Sequence, residues 1–316
     1  MLLALLSYDL PERIPSQSTQ TVISLSEGVQ KPYFRSNIYA MSKKFLLLIL
    51  LACYCGSARS QVVYGDNAAA GHYLSTRGIR LYYETYGQGA PLLMLHINGG
   101  SINVFTNQIP YFAKNYRVIA VDTRAHGKSV DAGDSLTFEM MADDFNALLD
   151  SLHLDSCFVL GWSDGGISGL LLALRHPEKV KKLVVSGPNL WPDTTGLEPF
   201  IYHWLERMAD SMRRLPPNPR TRNDLKIVEL DLKEPHMTLE QLHAIRCPTL
   251  VMGGDHDAIP SYHLWQIFRN IPKSYLWLVP GSGHFVAVYK ANYFNAVVGD
   301  FFRNPYVRIE GMGMLH

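Results

Sequence analysis

Apolar positions in this chain gather into short unbroken runs, and these alternate with stretches in which apolar residues recur at helical spacing. Leu92 to Leu95, Arg117 to Val121, Cys157 to Leu160, Lys182 to Ser186, Thr249 to Met252 and Tyr275 to Val279 read as strands buried on both faces. Such runs are what a parallel sheet covered by helices requires. Tyr73 to Thr85 reads differently: Arg77-Gly78 interrupts it, and Tyr82, Tyr83 and Tyr86 suit a sheet face, so it predicts an antiparallel pair turning at 77–78. Among the helical stretches, Ile109 to Ala113 predicts a packing helix. Phe138 to Leu152 carries Met141, Phe145, Leu148, Leu149 and Leu152 as one stripe. Ile167 to Arg175 offers Leu170, Leu171, Leu172 and Leu174 to a sheet, and Tyr289 to Phe302 is the last predicted helix. The alternation of strand and helix predicts an α/β fold.

The pattern changes between Gly187 and Cys247. Trp191, Phe200, Tyr202, Trp204, Leu205, Met208 and Met212 fall in a predicted helical segment that Pro216, Pro217 and Pro219 break, and Asp224 to Leu232 starts another. Residues 61–187 and 247–303 are the predicted core, 188–246 an insertion, and 304–316 a loosely held tail.

Composition narrows the functional classes. The chain has 316 residues, 47% of them hydrophobic, which is ample for one large core, and its formal net charge of +1 gives no field for steering nucleic acid. No G-x-G-x-x-G follows a strand and no G-x-x-x-x-G-K-[ST] occurs, so nucleotide binding has no basis in the sequence. Of the four cysteines, at 53, 55, 157 and 247, Cys157 and Cys247 read as buried free thiols.

The candidate chemistry centres on Gly161-Trp162-Ser163-Asp164-Gly165-Gly166, which sets one hydroxyl on a tight turn between strand and helix. Gly161 and Gly165 leave room for the helix to pass close behind the serine. The backbone N–H of Asp164 opens that helix, where unpaired amides favour an anion. A serine hydroxyl needs a histidine base and a group that fixes the tautomer of that base. Gly254-Asp255-His256-Asp257 and Gly283-His284 each follow a predicted strand, at the sheet edge that carries Ser163 and where open parallel sheets bind ligands. His96 and His126 read as structural. His256 lies between two aspartates but lacks a second ligand set at metal spacing, and reads as a loop histidine.

These motifs, with His96-Ile97-Asn98-Gly99-Gly100 and Asp122-Thr123-Arg124-Ala125-His126-Gly127-Lys128-Ser129, resemble the α/β-hydrolase superfamily over roughly Gly78 to Phe302. The resemblance implies a mostly parallel eight-stranded sheet with helices on both faces and a small helical cap over 188–246. It implies Ser163 as nucleophile, His284 as base and then acid, and Asp257 as the acid that orients His284, with Asp255 the lesser alternative. Asn98 and Asp164 are the implied oxyanion donors, with Gly99 as an alternative. Relatives commonly have Gly at the position of Ile97, whose side chain is expected to narrow the floor of the oxyanion loop. The Gly-Trp-Ser-Asp-Gly-Gly stretch is similar to that of valacyclovir hydrolase-like enzymes, in which the aspartate is thought to receive a substrate ammonium. Asp164, Trp162 and Trp191 are therefore candidate substrate contacts, and Asp164 also reads as a helix cap. The implied function is hydrolysis of a small or medium carboxylic ester. A carbon-carbon bond hydrolase, an amidase or aminoacyl-ester hydrolase, and more distantly a non-catalytic receptor are the alternatives. No cofactor and no metal is required by this chemistry, and the expected partner is a small-molecule acyl substrate.

Met41-Ser42-Lys43-Lys44 followed by Phe45 to Ala52 has the form of a signal peptide over 41–60, with residues 1–40 an over-extended or disordered preface. Leu50-Leu51-Ala52-Cys53 resembles a lipobox ending at Cys53. Export, periplasmic or secreted, is the expectation, with a lipid-anchored and, as the lesser alternative, a cytoplasmic protein beside it, and membrane contact only through this leader or a lipid anchor.

Overall fold

Strands β1 (Gly71–Thr76), β2 (Ile79–Tyr86), β3 (Ala90–Leu95), β4 (Tyr116–Val121), β5 (Cys157–Trp162), β6 (Val180–Ser186), β7 (Thr249–Gly254) and β8 (Ser274–Val279) form one sheet. Their order is β1-β2-β4-β3-β5-β6-β7-β8. This computed structural model describes residues 62–308; the expected leader, the lipobox with Cys53 and Cys55, and the tail beyond 308 lie outside the described residues. The first two strands pair antiparallel, β2 pairs antiparallel with β4, and every later pairing is parallel. Arg77 (φ 45°) and Gly78 (φ 80°) are the two residues between the paired Thr76 and Ile79. Positive φ at both central residues is the tight turn that matches the twist of a hairpin.

Alternation along each strand divides the core into two layers. On one face Leu93, Leu95, Ile119, Val121 and Val159 pack with helices α2 (Phe138–Ser151) and α3 (Asp164–Arg175). On the other, Leu92, Met94, Val118, Ala120, Phe158 and Leu160 pack with α1 (Ile109–Phe112) and with α8 (Ala291–Arg303). The stripe predicted over 138–152 thus covers the sheet, and Thr137 starts that helix by accepting the Met140 N–H on its Oγ1 at 3.2 Å.

Helices α4 (Pro199–Arg213) and α5 (Pro219–Lys233) form the insertion between β6 and β7. Three expectations need correction here and at the C-terminal end. Trp191 lies ahead of α4 in an irregular stretch, not in the helix. Pro219 does not break a helix but begins one: it occupies the first turn, where its missing N–H costs nothing, and Asn218 caps that turn through Thr221. The last predicted helix is two, α7 (Val286–Tyr289) and α8, separated by Lys290 at φ −122°, ψ 32°. Helix α6 (Ser261–Asn270) joins β7 to β8.

Candidate active site

Ser163 stands between β5 and α3 at φ 55°, ψ −118°, a backbone conformation that L residues rarely adopt. Its N–H donates to Ser186 O at 2.7 Å, and its carbonyl accepts from Gly166 and Ile167, so both ends of the turn are fixed. The glycines explain how the turn fits: a Cβ on Gly161 would lie 2.1 Å from Gly165 O, and one on Gly165 would lie 2.0 Å from Leu95 O. Only bare backbone lets α3 descend this close to β3 and β5.

Two further loops reach the same edge. Beyond β7, Asp257 Oδ1 accepts from His284 Nδ1 at 2.6 Å, while its carboxylate also accepts the N–H groups of Gly254 and Ile259 at 3.0 and 3.2 Å. Burial disfavours the Asp257 carboxylate, but the facing His284 and these donors outweigh it and hold the group below its ordinary value. For His284, burial disfavours the charged ring; Asp257, with Asp164 beyond it, outweighs that and raises the imidazole above its ordinary value. Gly187 at φ 61° makes room for this ring, since a Cβ there would lie 2.8 Å from His284 Cε1. Asp255 does other work: it accepts the N–H groups of Gly281 and Ser282, both at 3.0 Å, and ties the loop after β7 to the one that carries His284.

The loop after β3 is held from below. His96 Nδ1 donates to Ile97 O at 2.7 Å and Nε2 accepts the Thr123 N–H at 3.0 Å, an arrangement that requires a neutral ring. Burial, with His126 nearby, pushes its pKa down to about 3. Asp122 accepts the N–H groups of Ile102 and Lys128, closing the far end of the same loop. The Ile97 side chain is buried, in one cluster with Ile102 and Phe105, and packs against Gly100 of the same loop. Gly99 is exposed at φ 62°.

Asn98 is buried, and its side chain does more than its position in the motif suggests. Nδ2 donates to Asp164 Oδ2 at 2.9 Å and to the carbonyl of Ile227, on inserted helix α5, at 3.0 Å. Asp164 itself is 6% exposed. Asp231, one helical turn beyond Ile227, lies near it, and burial pushes the Asp164 pKa up to about 6. Asp231 was not among the candidates because a carboxylate in a polar helix reads as solvated. Its spacing from Ile227 and Val228, both buried, is the signal that could have found it.

Of the two tryptophans, Trp162 is placed differently from expectation. Trp162 is 1% exposed, packs in the layer below the sheet edge and donates its Nε1–H to His284 O at 2.9 Å, so it braces the histidine loop and offers no surface to a substrate. Trp191 is partly buried, with its Nε1–H given to Met237 O at 2.9 Å and its ring edge-on to His263.

Residues 90–240 match the family model described as alpha/beta hydrolase fold. The chain is 27% identical to serine hydrolase BPHL of Mus musculus over 282 residues, covering 83% of this chain and 96% of that one. It is 28% identical to the putative carbamate hydrolase RutD of Caulobacter sp. (strain K31), over 70% of this chain and 95% of that one. A hydrolase from Pseudomonas aeruginosa superposes with a TM-score of 0.66 at 23% identity, covering 75% of this chain and all of that one, and shares the fold.

Proposed function

Because this chain is an enzyme of the α/β-hydrolase fold, we propose that it is a serine hydrolase that cleaves a small or medium carboxylic ester through an acyl-enzyme. One observation carries the reading: a serine forced to positive φ at the end of β5 shares a sheet edge with a histidine whose Nδ1 is fixed by a buried aspartate at 2.6 Å. In this reading Ser163 Oγ attacks the acyl carbon while His284 Nε2 takes its proton. The backbone N–H groups of Asn98 and Asp164 receive the oxyanion, the ester C–O bond breaks, and the leaving alcohol takes the proton from His284. Water then repeats the cycle on the acyl-enzyme and regenerates Ser163. Asp257 holds the imidazole in the tautomer that leaves Nε2 free to accept, and favours the imidazolium formed on the way. Helices α4 and α5 serve as the cap, and their compact size suits a modest acyl group. The similarity to a serine hydrolase over most of both chains supports the choice of chemistry.

Initial rates on p-nitrophenyl acetate, butyrate, octanoate and an aminoacyl ester, measured for the wild type and Ser163→Ala, test this. We expect turnover of at least one ester, reduced by about 10⁴-fold or more in the variant. Near-wild-type turnover by Ser163→Ala would sink the proposal.

A further inference from the structure

We propose that the Asn98 side chain is a positioning residue that makes reaction at Ser163 depend on the seating of inserted helix α5. This rests on the reading of Ser163 as the nucleophile.

One amide joins three elements. Asn98 lies in the loop after β3, Asp164 opens α3 directly after Ser163, and Ile227 belongs to α5. Asn98 Nδ2 donates to Asp164 Oδ2 at 2.9 Å and to the Ile227 carbonyl at 3.0 Å, and the residue is 7% exposed. The amide nitrogen carries two hydrogens, so both are spent and the plane of the group is fixed. There is little slack between this loop and the elbow. Gly165, one residue past Asp164, sits so close to it that a Cβ there would lie 2.0 Å from Leu95 O and 2.9 Å from His96 O. A shift of Asn98 therefore reaches the turn that holds Ser163.

On its other side α5 is seated by its own side chains. Asn223 Nδ2 donates to the Ala125 carbonyl at 2.8 Å, and Lys226 Nζ donates to the Asp131 carboxylate at 3.0 Å and to the Gly133 carbonyl at 2.6 Å. These bonds set the helix against the loop after β4, and the Asn98 amide carries that setting to the sheet edge where Ser163 stands. With α5 out of its seat, Asn98 keeps one partner of two and is free to turn about its own bonds. What is lost is the arrangement of the reacting groups, not a surface that holds an acyl chain, so the cost should fall on kcat and leave KM little changed.

The test measures kcat and KM on a neutral p-nitrophenyl ester, and the rate of Ser163 phosphonylation by a fluorophosphonate, with melting curves to check folding. Asn98→Ala removes both donations, and Asn98→Leu removes them while keeping the volume. Each should lose on the order of tenfold in kcat and in phosphonylation rate. Lys226→Met leaves Asn98 intact and loosens α5 at its far seat; it should lower kcat by about threefold to tenfold, and by less than about twofold when added to Asn98→Leu. That failure to add is what a merely structural role for Asn98 does not produce. Wild-type rates in Asn98→Leu, a full kcat in Lys226→Met, or losses that simply multiply in the double variant each overturn the proposal. A wild-type protein that is folded yet never labelled at Ser163 instead overturns the serine hydrolase reading beneath it.

Discussion

In the proposed mechanism His284 must be neutral to take a proton, and the Asp257 carboxylate 2.6 Å away makes its neutral form harder to reach than in a free imidazole. A base with a raised pKa is protonated and idle below that value, so kcat/KM for a neutral ester should rise with pH through a midpoint above the ordinary histidine value of about 6.5. Asp257→Asn should bring that midpoint down while cutting the plateau rate, and a pH–rate profile of the two proteins would show both effects. An unchanged midpoint would mean that the Asp257 charge does not set it. The turn of Ser163 and the pairing of Asp257 with His284 were legible in the sequence because glycines mark the geometry of each turn. The side chain of Asn98 was not. Its contacts depend on α5 lying against the elbow, a meeting of residues far apart in the chain that no local pattern encodes.

Where α3 leaves β5, the tightest fit is between main chains. Alanine in place of glycine inside an exposed helix ordinarily stabilises by about 0.5–1 kcal/mol. At Gly165 the added Cβ would meet the Leu95 carbonyl at 2.0 Å, and a backbone carbonyl cannot swing away as a side chain can. The sign therefore reverses: Gly165→Ala should destabilise by about 1–3 kcal/mol and displace Ser163, seen as a fall in Tm of several degrees with a loss of esterase rate. A variant that melts at or above the wild-type temperature would show that α3 shifts without cost. The central parallel strands were legible because their apolar runs are buried on both sides, as in β5 and β7; β8, at the sheet edge, is only partly buried. Helix ends were less so. Pro219 looked like a breaker because the sequence alone does not say whether a proline stands inside a helix or at its first turn, and the break at Lys290 carries no proline or glycine to announce it.

A chain of buried and part-buried charges connects the layers. Arg124, following β4, makes a two-pronged contact with Asp144 on α2 at 2.7 and 2.8 Å and meets Asp131 at 3.5 Å, and Asp131 in turn accepts from Lys226 on α5 at 3.0 Å. Asp144 is fully buried and Arg124 nearly so. Removing the cation leaves the buried Asp144 carboxylate with Arg77 at 3.4 Å in place of its two-pronged partner, so Arg124→Met should destabilise by up to about 3–5 kcal/mol. Arg124→Met combined with Asp144→Leu should recover much of that loss in denaturant unfolding; a double variant as unstable as the single one would place the cost elsewhere. The sequence showed Arg124 in its turn motif but gave no hint of its partner Asp144, which comes from α2.

The strand order has a consequence in time. Ser163 lies near the middle of the chain, whereas Asp257 and His284 follow β7 and β8, the last two strands to be made. Synthesis runs from the N-terminus, and domains take shape as they emerge. On the proposed mechanism, once its serine has been made, a nascent chain carries it for most of the remaining synthesis with no base beside it, and hydrolytic power arrives only with the last described strand and the helices that close behind it.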